Sequence, residues 1–346
     1  MLNSKDRVAI YMESNLDSDY GKMGMGVIRY LSNKITCIID SNHVGKSIKS
    51  FINTDRKIPI VESLEIALEK KSTVLVLGIA PSGGKIPKEW NRIIEKALKN
   101  GLSIVNGLHE LLFPRWKDLI KKNKNQWIWD VRMPTFVPDI ATGKASKLKN
   151  KRILFIGTDM AVGKMTAALE IYSFLNKQSK NVGFVATGQI GITLTGNGIP
   201  LDAFKVDHAC GAVEAAVLEN SKKEIVLIEG QGSLLHPGST ATLPLMRGSC
   251  PTHLILCHRA NKKTLRSPKN IKIPDLKEFI YLNELLSTVS GTFPKAKVIG
   301  VALNTSHLSH NKAILSVNQL EKKLNIITTD VVRFGPDKIA KAILKS

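Results

Sequence analysis

An apolar run, a glycine-bounded loop and a helical pattern follow one another in residues 152–175, RILFIGTDMAVGKMTAALEIYSFL. Gly157 ends the apolar run, and Gly163 precedes Lys164 at the start of the helical pattern. Glycine at such a junction lets the backbone approach a phosphate, while the lysine adds a positive charge and the helix adds its N-terminal amides. The segment therefore predicts a strand, a phosphate-binding loop and a helix at the carboxyl edge of a parallel sheet.

Two features separate this loop from the usual phosphate-loop pattern. Five residues lie between the two glycines where the pattern has four, and Met165 follows the lysine where a serine or threonine would ligate Mg²⁺. A thioether does not replace a hard oxygen ligand for that ion. The sequence leaves two alternatives: Thr166 supplies the metal ligand, or the loop binds phosphate without tightly held magnesium.

Short runs rich in Val, Ile and Leu alternate with helical patterns in both halves of the chain, as in doubly wound sheets. Besides the run that ends at Gly157, the predicted strands are 7–12, 35–40, 73–80, 102–108, 181–187, 224–230, 253–258 and 297–304, and the clearest helical patterns are 87–101, 208–220 and 275–289. The pattern predicts an α/β protein with two doubly wound parallel-sheet domains. We expect a Rossmann-like domain over 1–112, a connector over 113–150 and a P-loop NTPase-like domain over 151–346.

The predicted first domain has a glycine turn of its own, GIAPSGGKIP at 78–87. Its glycine spacing is not that of the dinucleotide-binding fingerprint. An anion site at a helix N-terminus and a tight turn without a ligand therefore remain equal alternatives for this turn.

The 346 residues include 50 Lys and Arg against 29 Asp and Glu, a formal net charge of +21. The excess is mostly lysine spread along the chain, and its densest run, 144–152, has no interleaved aromatic residues. We therefore expect a basic surface that attracts small anionic substrates such as nucleotides or CoA, with nucleic acid disfavoured. No stretch is long enough to span a membrane and no signal peptide is visible, so a cytoplasmic protein is expected. A homo-oligomer is the default expectation.

Polar residues collect where strands of the second domain end. Glu229 and His236 are candidate general bases, although a structural carboxylate and a structural histidine are the alternatives. Asp207 is a further catalytic candidate or a helix N-cap. The candidates for binding the cofactor are Gly157, Thr158, Asp159, Gly163, Lys164, Met165, Thr166 and Asn304, and those for binding the substrate are Gln189, Gln231, Ser233 and Arg247.

Some of these candidates have plain structural alternatives. Asn304 could be a turn residue, and Arg247 could form a surface ion pair. We expect 187–198 to be a polar strand-end segment that contacts a ligand, and the segment through residue 251 to be a long binding loop.

The motifs GTDMAVGK, LIEGQG and ALN resemble those of dethiobiotin synthetase, which has a threonine at the position of Met165. A closer resemblance covers nearly the whole chain: GTDMAVGKMTAALE, TGQIGI and EGQGSLLHPG, in this two-domain order, are similar to the family that includes D-glutamate N-acetyltransferase. That resemblance implies acetyl transfer from acetyl-CoA to the amino group of D-glutamate or a similar D-amino acid.

Two other functions remain open at this point. The first is an ATP- and magnesium-dependent ligase or kinase, in which Thr166 would be the metal ligand. The second is a nucleotide-binding regulatory protein without turnover.

Overall fold

The computed structural model describes residues 2–80, 84–121 and 125–346, which form two compact units. The first unit runs to Pro134 and also takes Gly188–Ala203. The second unit comprises Thr135–Thr187 and Phe204–Ser346. The segment predicted as a connector is therefore divided between the units. Its first part contributes a helix, Phe113–Trp116, and an edge strand of the sheet, Ile128–Asp130, to the first unit.

The first unit contains a six-stranded parallel sheet with the strand order β3-β2-β1-β4-β5-β6. Its strands are β1 Arg7–Tyr11, β2 Lys34–Ile39, β3 Ile60–Val61, β4 Val74–Leu77, β5 Ser103–Asn106 and β6 Ile128–Asp130. Its helices in the first stretch of chain are α1 Lys22–Tyr30, α2 Leu64–Glu69, α3 Trp90–Lys99 and α4 Phe113–Trp116. The inner strands are apolar and buried, as expected for a sheet covered on both faces.

The second unit contains another six-stranded parallel sheet, with the order β12-β11-β10-β7-β9-β8. Its strands are β7 Lys151–Gly157, β8 Val182–Val185, β9 Ile225–Ile228, β10 His253–Arg259, β11 Lys297–Asn304 and β12 Thr328–Thr329. The remaining helices of the chain are α5 Lys164–Lys177, α6 Gln189–Thr195, α7 Val206–Glu219, α8 Thr242–Ser249, α9 Leu276–Thr288, α10 His310–Leu324 and α11 Asp337–Lys345. Helix α6 belongs to the first unit, where its Ile190 packs against Gly26 of α1.

The fold class and the longer strands and helices are as predicted from the sequence. Two predicted loops contain helices instead: α6 lies within 187–198, and α8 shortens the loop that was expected to run to residue 251. The prediction of Asp207 as an N-cap is wrong, because Lys205 occupies that position and Asp207 lies in the first turn of α7.

In the glycine turn at 78–87, Ser82 and Gly83 lie outside the described residues, so the choice between an anion site and a plain turn is not made there. Across the part of the chain that the structure describes, no helix combines the length and the apolar character needed to cross a membrane.

Candidate functional site

The loop between β7 and α5 has the predicted strand–loop–helix form and is called the phosphate loop, residues 158–163. Gly163 caps α5 with a φ of 108°, in the left-handed region that glycine tolerates best. A Cβ on Gly157 would lie 2.8 Å from Val162 Cγ2 and 3.0 Å from Lys164 Nζ. Gly157 is therefore required by the close approach of the loop and its lysine, and Gly163 by its left-handed backbone conformation.

Lys164 lies almost entirely buried beneath the phosphate loop, with 6% of its surface exposed. Its Nζ donates a hydrogen bond to the Asp159 carbonyl oxygen at 2.9 Å. Burial lowers the pKa of Lys164 to about 8, and the nearby Cys257, Asp159 and Glu229 oppose that shift. The carbonyl oxygen that accepts this hydrogen bond is neutral, so the bond itself does not cancel the charge of the buried amine.

Two neighbouring strand ends hold the phosphate loop in place. Thr158 Oγ1 and His258 Nδ1, at the end of β10, share a buried hydrogen bond of 2.9 Å. Burial lowers the pKa of His258 to about 4, so this imidazole is neutral at neutral pH. At the end of β11, Asn304 Nδ2 donates to the Val162 carbonyl oxygen at 3.4 Å. Asn304 is thus beside the loop, and its role in binding a cofactor stays a prediction; the sequence analysis did not identify His258.

Asp159 connects the phosphate loop to a second segment. Its Oδ1 accepts a hydrogen bond from the Met160 amide at 2.7 Å, and its Oδ2 accepts one from the Arg266 amide at 2.7 Å. Arg266 belongs to residues 260–274, which we call the basic hairpin. Backbone bonds from Leu265 N to Ile271 O (2.9 Å) and from Ile273 N to Lys263 O (2.8 Å) pair its two arms. Its lysine-rich sequence without Asp or Glu was the signal by which the hairpin could have been noticed.

Glu229 follows β9 directly and is 4% exposed. Its Oε2 accepts a hydrogen bond from the Thr187 amide at 3.0 Å, and Thr187 Oγ1 donates to the Glu229 carbonyl oxygen at 2.9 Å. The carboxylate is also close enough to Lys164 to favour the charged form of that lysine. Gln231 Nε2 donates to the Thr187 carbonyl oxygen as well. Glu229 and Gln231 therefore secure the end of β8, and Glu229 adds a negative charge beside the buried lysine.

His236 has both ring nitrogens in hydrogen bonds. Nδ1 accepts from the Gly238 amide at 3.1 Å, and Nε2 therefore donates to the Ser267 carbonyl oxygen at 2.7 Å. His236 thus ties the loop 231–241 to the basic hairpin. Within the same loop, Ser233 is buried and its Oγ accepts from the Leu235 amide at 3.2 Å.

Three other candidates lie on helices: Gln189 on α6, Asp207 on α7 and Arg247 on α8. Arg247 in α8 donates to the Leu286 carbonyl oxygen at 2.7 Å, and Gln189 in the first unit accepts from Arg132 at 2.6 Å. Asp207 is exposed on α7. In the described ranges of the second unit, neither Arg247 nor Asp207 forms a hydrogen bond with the phosphate loop. Their predicted roles remain predictions.

A cavity of about 210 Å³ lies beside the ends of β10 and β11. Its lining includes His258, Ala260, Asn261, Leu303, Leu320 and Lys323. Within residues 2–80, 84–121 and 125–346, no cluster of three or more His, Cys, Asp or Glu side chains is placed to hold a metal ion.

Comparisons with known proteins agree with this architecture. Residues 41–134 match the Rossmann-like N-terminal domain of DUF1611, a domain of unknown function, and residues 139–340 match its C-terminal P-loop domain. A D-glutamate N-acetyltransferase of Tritonibacter scottomollicae is 34% identical over 284 residues, covering 81% of this chain and 84% of that protein.

A second D-glutamate N-acetyltransferase, from a Pseudoalteromonas species, is 36% identical over 267 residues, which is 76% of this chain and 79% of that protein. The crystal structure of a DUF1611 family protein from Anabaena variabilis matches with a TM-score of 0.94 and 43% identity, covering 99% of this chain and 100% of that one. The matches confirm the α/β fold class, the resemblance drawn from the motifs and the prediction of an enzyme.

Proposed function

The chain belongs to the DUF1611 family, and on that premise we propose that it transfers the acetyl group of acetyl-CoA to the amino group of a D-amino acid, with D-glutamate as the first candidate. The observation that carries this proposal is the match to two proteins named D-glutamate N-acetyltransferase, at 34–36% identity over at least three-quarters of the chain. The phosphate loop supports it, because Lys164 offers a buried positive charge to an anionic donor while Met165 offers no oxygen to a metal.

The phosphate loop is proposed to bind the pyrophosphate of CoA. The left-handed Gly163 and the first turn of α5 present backbone amides to an anion, and Lys164 lies directly beneath them. A phosphate beside Lys164 would favour its protonated form, which burial alone disfavours. Substrate binding and the charge state of this lysine are therefore coupled, without any need for hydrolysis.

The proposed reaction begins when a base takes a proton from the substrate ammonium group. The amine nitrogen then attacks the thioester carbonyl carbon, an N–C bond forms, and the C–S bond breaks. The CoA thiolate leaves and receives a proton, so the products are the N-acetyl amino acid and CoA. Lys164 and the loop amides hold the pyrophosphate in this proposal, so a different hydrogen-bond donor would stabilise the oxyanion at the acyl carbon.

Glu229 is the stronger candidate for the base. It is a buried carboxylate at a strand end, where open α/β sheets bind their ligands, whereas the basic ring nitrogen of His236 already accepts a hydrogen bond from the Gly238 amide. We expect Glu229→Gln to lower kcat by about 100-fold and His236→Ala to lower it by less than about 10-fold. Unchanged turnover in Glu229→Gln at saturating substrate would remove Glu229 from this role.

The test of the function is thiol release from acetyl-CoA with D-glutamate, L-glutamate and a panel of other amino acids, run beside an ADP assay with ATP and magnesium. The expected result is D-selective thiol release without ADP formation. Release that does not depend on an amino acid, or release with L-glutamate alone, would contradict the proposed acceptor.

The ATP- and magnesium-dependent ligase or kinase remains a second candidate because of Thr166. This residue lies in the first turn of α5, and its hydroxyl has no hydrogen-bond partner among the described residues, so it is available to a metal ion. That candidate predicts ADP formation that Thr166→Ala abolishes, while acetyl transfer would tolerate the substitution. A regulatory protein without turnover is not carried forward, because the two curated relatives are enzymes.

A further inference from the structure

We propose that the basic hairpin, residues 260–274, is a second phosphate subsite that binds the 3′-phosphate of the acyl-CoA donor. This inference rests on the proposed function, because it requires a donor that carries a phosphate apart from the pyrophosphate at the phosphate loop. The pyrophosphate and the 3′-phosphate of CoA are separate anionic groups, and the second unit offers two separate cationic elements.

The first supporting observation is the direct attachment of the hairpin to the phosphate loop. The Asp159 carboxylate, 6% exposed, accepts one hydrogen bond from the Met160 amide in the loop and one from the Arg266 amide in the hairpin, both at 2.7 Å. Hydrogen bonds to a buried carboxylate are strong. The hairpin backbone is therefore held at hydrogen-bond range from the loop, within reach of a ligand that occupies it.

The second observation is the charge of four exposed lysines in the hairpin. Lys262, Lys263, Lys269 and Lys272 are all exposed, and residues 260–274 contain no Asp or Glu. In the part of the chain that the structure describes, none of these four lysines forms an ion pair, whereas Lys297 and Lys323 each pair with a carboxylate at 2.6 Å. Four like charges on one short hairpin repel one another, and a bound anion relieves that repulsion.

The third observation is the position of the hairpin at the edge where ligands bind in α/β sheets. His236 Nε2 donates to the Ser267 carbonyl oxygen at 2.7 Å, so the hairpin is also attached to the loop that follows Glu229. At its base, Ala260 and Asn261 line the cavity of about 210 Å³, which has a mixed polar and apolar lining. A planar nucleobase suits such a cavity, which would bring the adenosine 3′-phosphate to the hairpin.

The experiment measures binding of CoA and of 3′-dephospho-CoA to the full chain by isothermal titration calorimetry. The test variant carries Lys262→Gln, Lys263→Gln, Lys269→Gln and Lys272→Gln. The matched control carries Lys177→Gln, Lys180→Gln, Lys222→Gln and Lys223→Gln, four exposed lysines that lie where α5 and α7 end and β8 and β9 begin, at the opposite edge of the same sheet. The two variants have the same net charge, so a difference between them reports position and not total charge.

We expect the wild-type chain to bind CoA about tenfold more tightly than 3′-dephospho-CoA, because several lysine–phosphate pairs are lost with the 3′-phosphate. The hairpin variant should lose most of this preference, and the control variant should keep it. In the wild type, the preference should shrink as salt rises, because exposed pairs are screened.

Equal affinity of the wild type for the two ligands, or an unchanged preference in the hairpin variant, would overturn the proposal. Failure of the wild type to bind CoA would overturn it as well. A CoA preference that disappears in the hairpin variant, combined with no thiol release on any amino acid, would support the subsite while removing the proposed acetyl transfer. Failure of the proposed subsite and failure of the proposed acetyl transfer therefore give different results.

Discussion

The two sheets have closely related strand orders but very different carboxyl edges. In the first unit β1 lies between β2 and β4, and in the second unit β7 lies between β9 and β10. Each sheet therefore has a topological switch point beside its first strand, where the chain changes the direction in which it adds strands. Such points are where open α/β sheets bind ligands. In the second unit this point has a glycine loop over a buried lysine, whereas in the first unit the buried Met12 side chain packs into the described part of it.

Met12, directly after β1, is the residue that fills the described part of the first switch point. It is fully buried, and a Cβ on Gly24 would overlap its Sδ, while one on Gly78 would lie 2.6 Å from its Cγ. The Gly24 amide also donates to the Gly78 carbonyl oxygen at 2.7 Å. Glycine here serves the packing of helix on strand, and in the second unit it serves the approach of a loop to a charge. The same sheet architecture therefore uses glycine in two ways, depending on the residues that follow the strands.

The largest expected effect tests this difference directly. Lys164→Met should lower kcat/KM for acetyl transfer by about 100-fold to 1000-fold, because it removes the buried charge beneath the phosphate loop. Lys85→Met, in the glycine turn of the first unit, is the matched control and should stay within about threefold of the wild type. A comparable loss in Lys85→Met would show that the first unit also binds an anion, which would end the contrast between the two edges.

A stability comparison between glycines should give the next largest effect. A Cβ on Gly230 would overlap the Phe155 carbonyl oxygen in β7, a backbone atom that cannot move aside, so Gly230→Ala should cost about 3 kcal/mol or more of the free energy of unfolding. For Gly24→Ala the three nearest atoms all belong to the flexible Met12 side chain, and the expected cost is about 1 kcal/mol or less.

Gly238→Ala is the control for this comparison, because its nearest neighbours are His236 ring atoms at 3.4 Å, an ordinary contact. Urea denaturation followed by circular dichroism measures all three variants. If Gly24→Ala were as destabilising as Gly230→Ala, the first switch point would be as tightly fixed as the second.

Thr158→Val should have a smaller effect, about 1.5 kcal/mol of unfolding free energy, because it removes the hydrogen bond to His258 and leaves a buried ring nitrogen without a partner. Thr166→Val is the matched substitution in the same stretch of chain. The Thr166 hydroxyl has no hydrogen-bond partner among the described residues, so its loss should change stability by less than about 0.5 kcal/mol. Equal effects in the two variants would mean that the buried threonine–histidine pair does not secure the loop.

The sequence predicted the parts of this fold that have strong local signals. Runs such as 253–258 and 297–304 are apolar, bounded and rich in branched residues, and they form β10 and β11. The two-residue edge strands β3 and β12 have too little sequence to form a pattern. Helix α6 was read as a loop because Gly191 and two threonines weaken its helical signal, and its packing against α1 is a tertiary effect.

The candidate site divides in the same way. Lys164, Glu229 and Asn304 were found because they stand directly after strands or glycines, where position along the chain predicts position in space. His258 and Arg266 were missed because their importance depends on partners 100 and 107 residues away in the chain. Contacts over such separations leave no pattern in a single sequence.

The smallest expected effect concerns the pH dependence of stability. Burial lowers the pKa of Lys164 from 10.5 to about 8, so the unfolded chain binds more protons than the folded chain between these two values. Stability must then rise with pH through that window, because the cost of burying the charge disappears as the folded-state amine deprotonates. Between about pH 7 and pH 9 the wild type should gain about 1 kcal/mol relative to Lys164→Met, which has no such group. Urea denaturation of both proteins across this range measures the difference. A difference that stays constant with pH would mean that Lys164 is not desolvated by its place beneath the loop. The contrast between the carboxyl edges of the two sheets would then rest on the backbone amides of the phosphate loop alone.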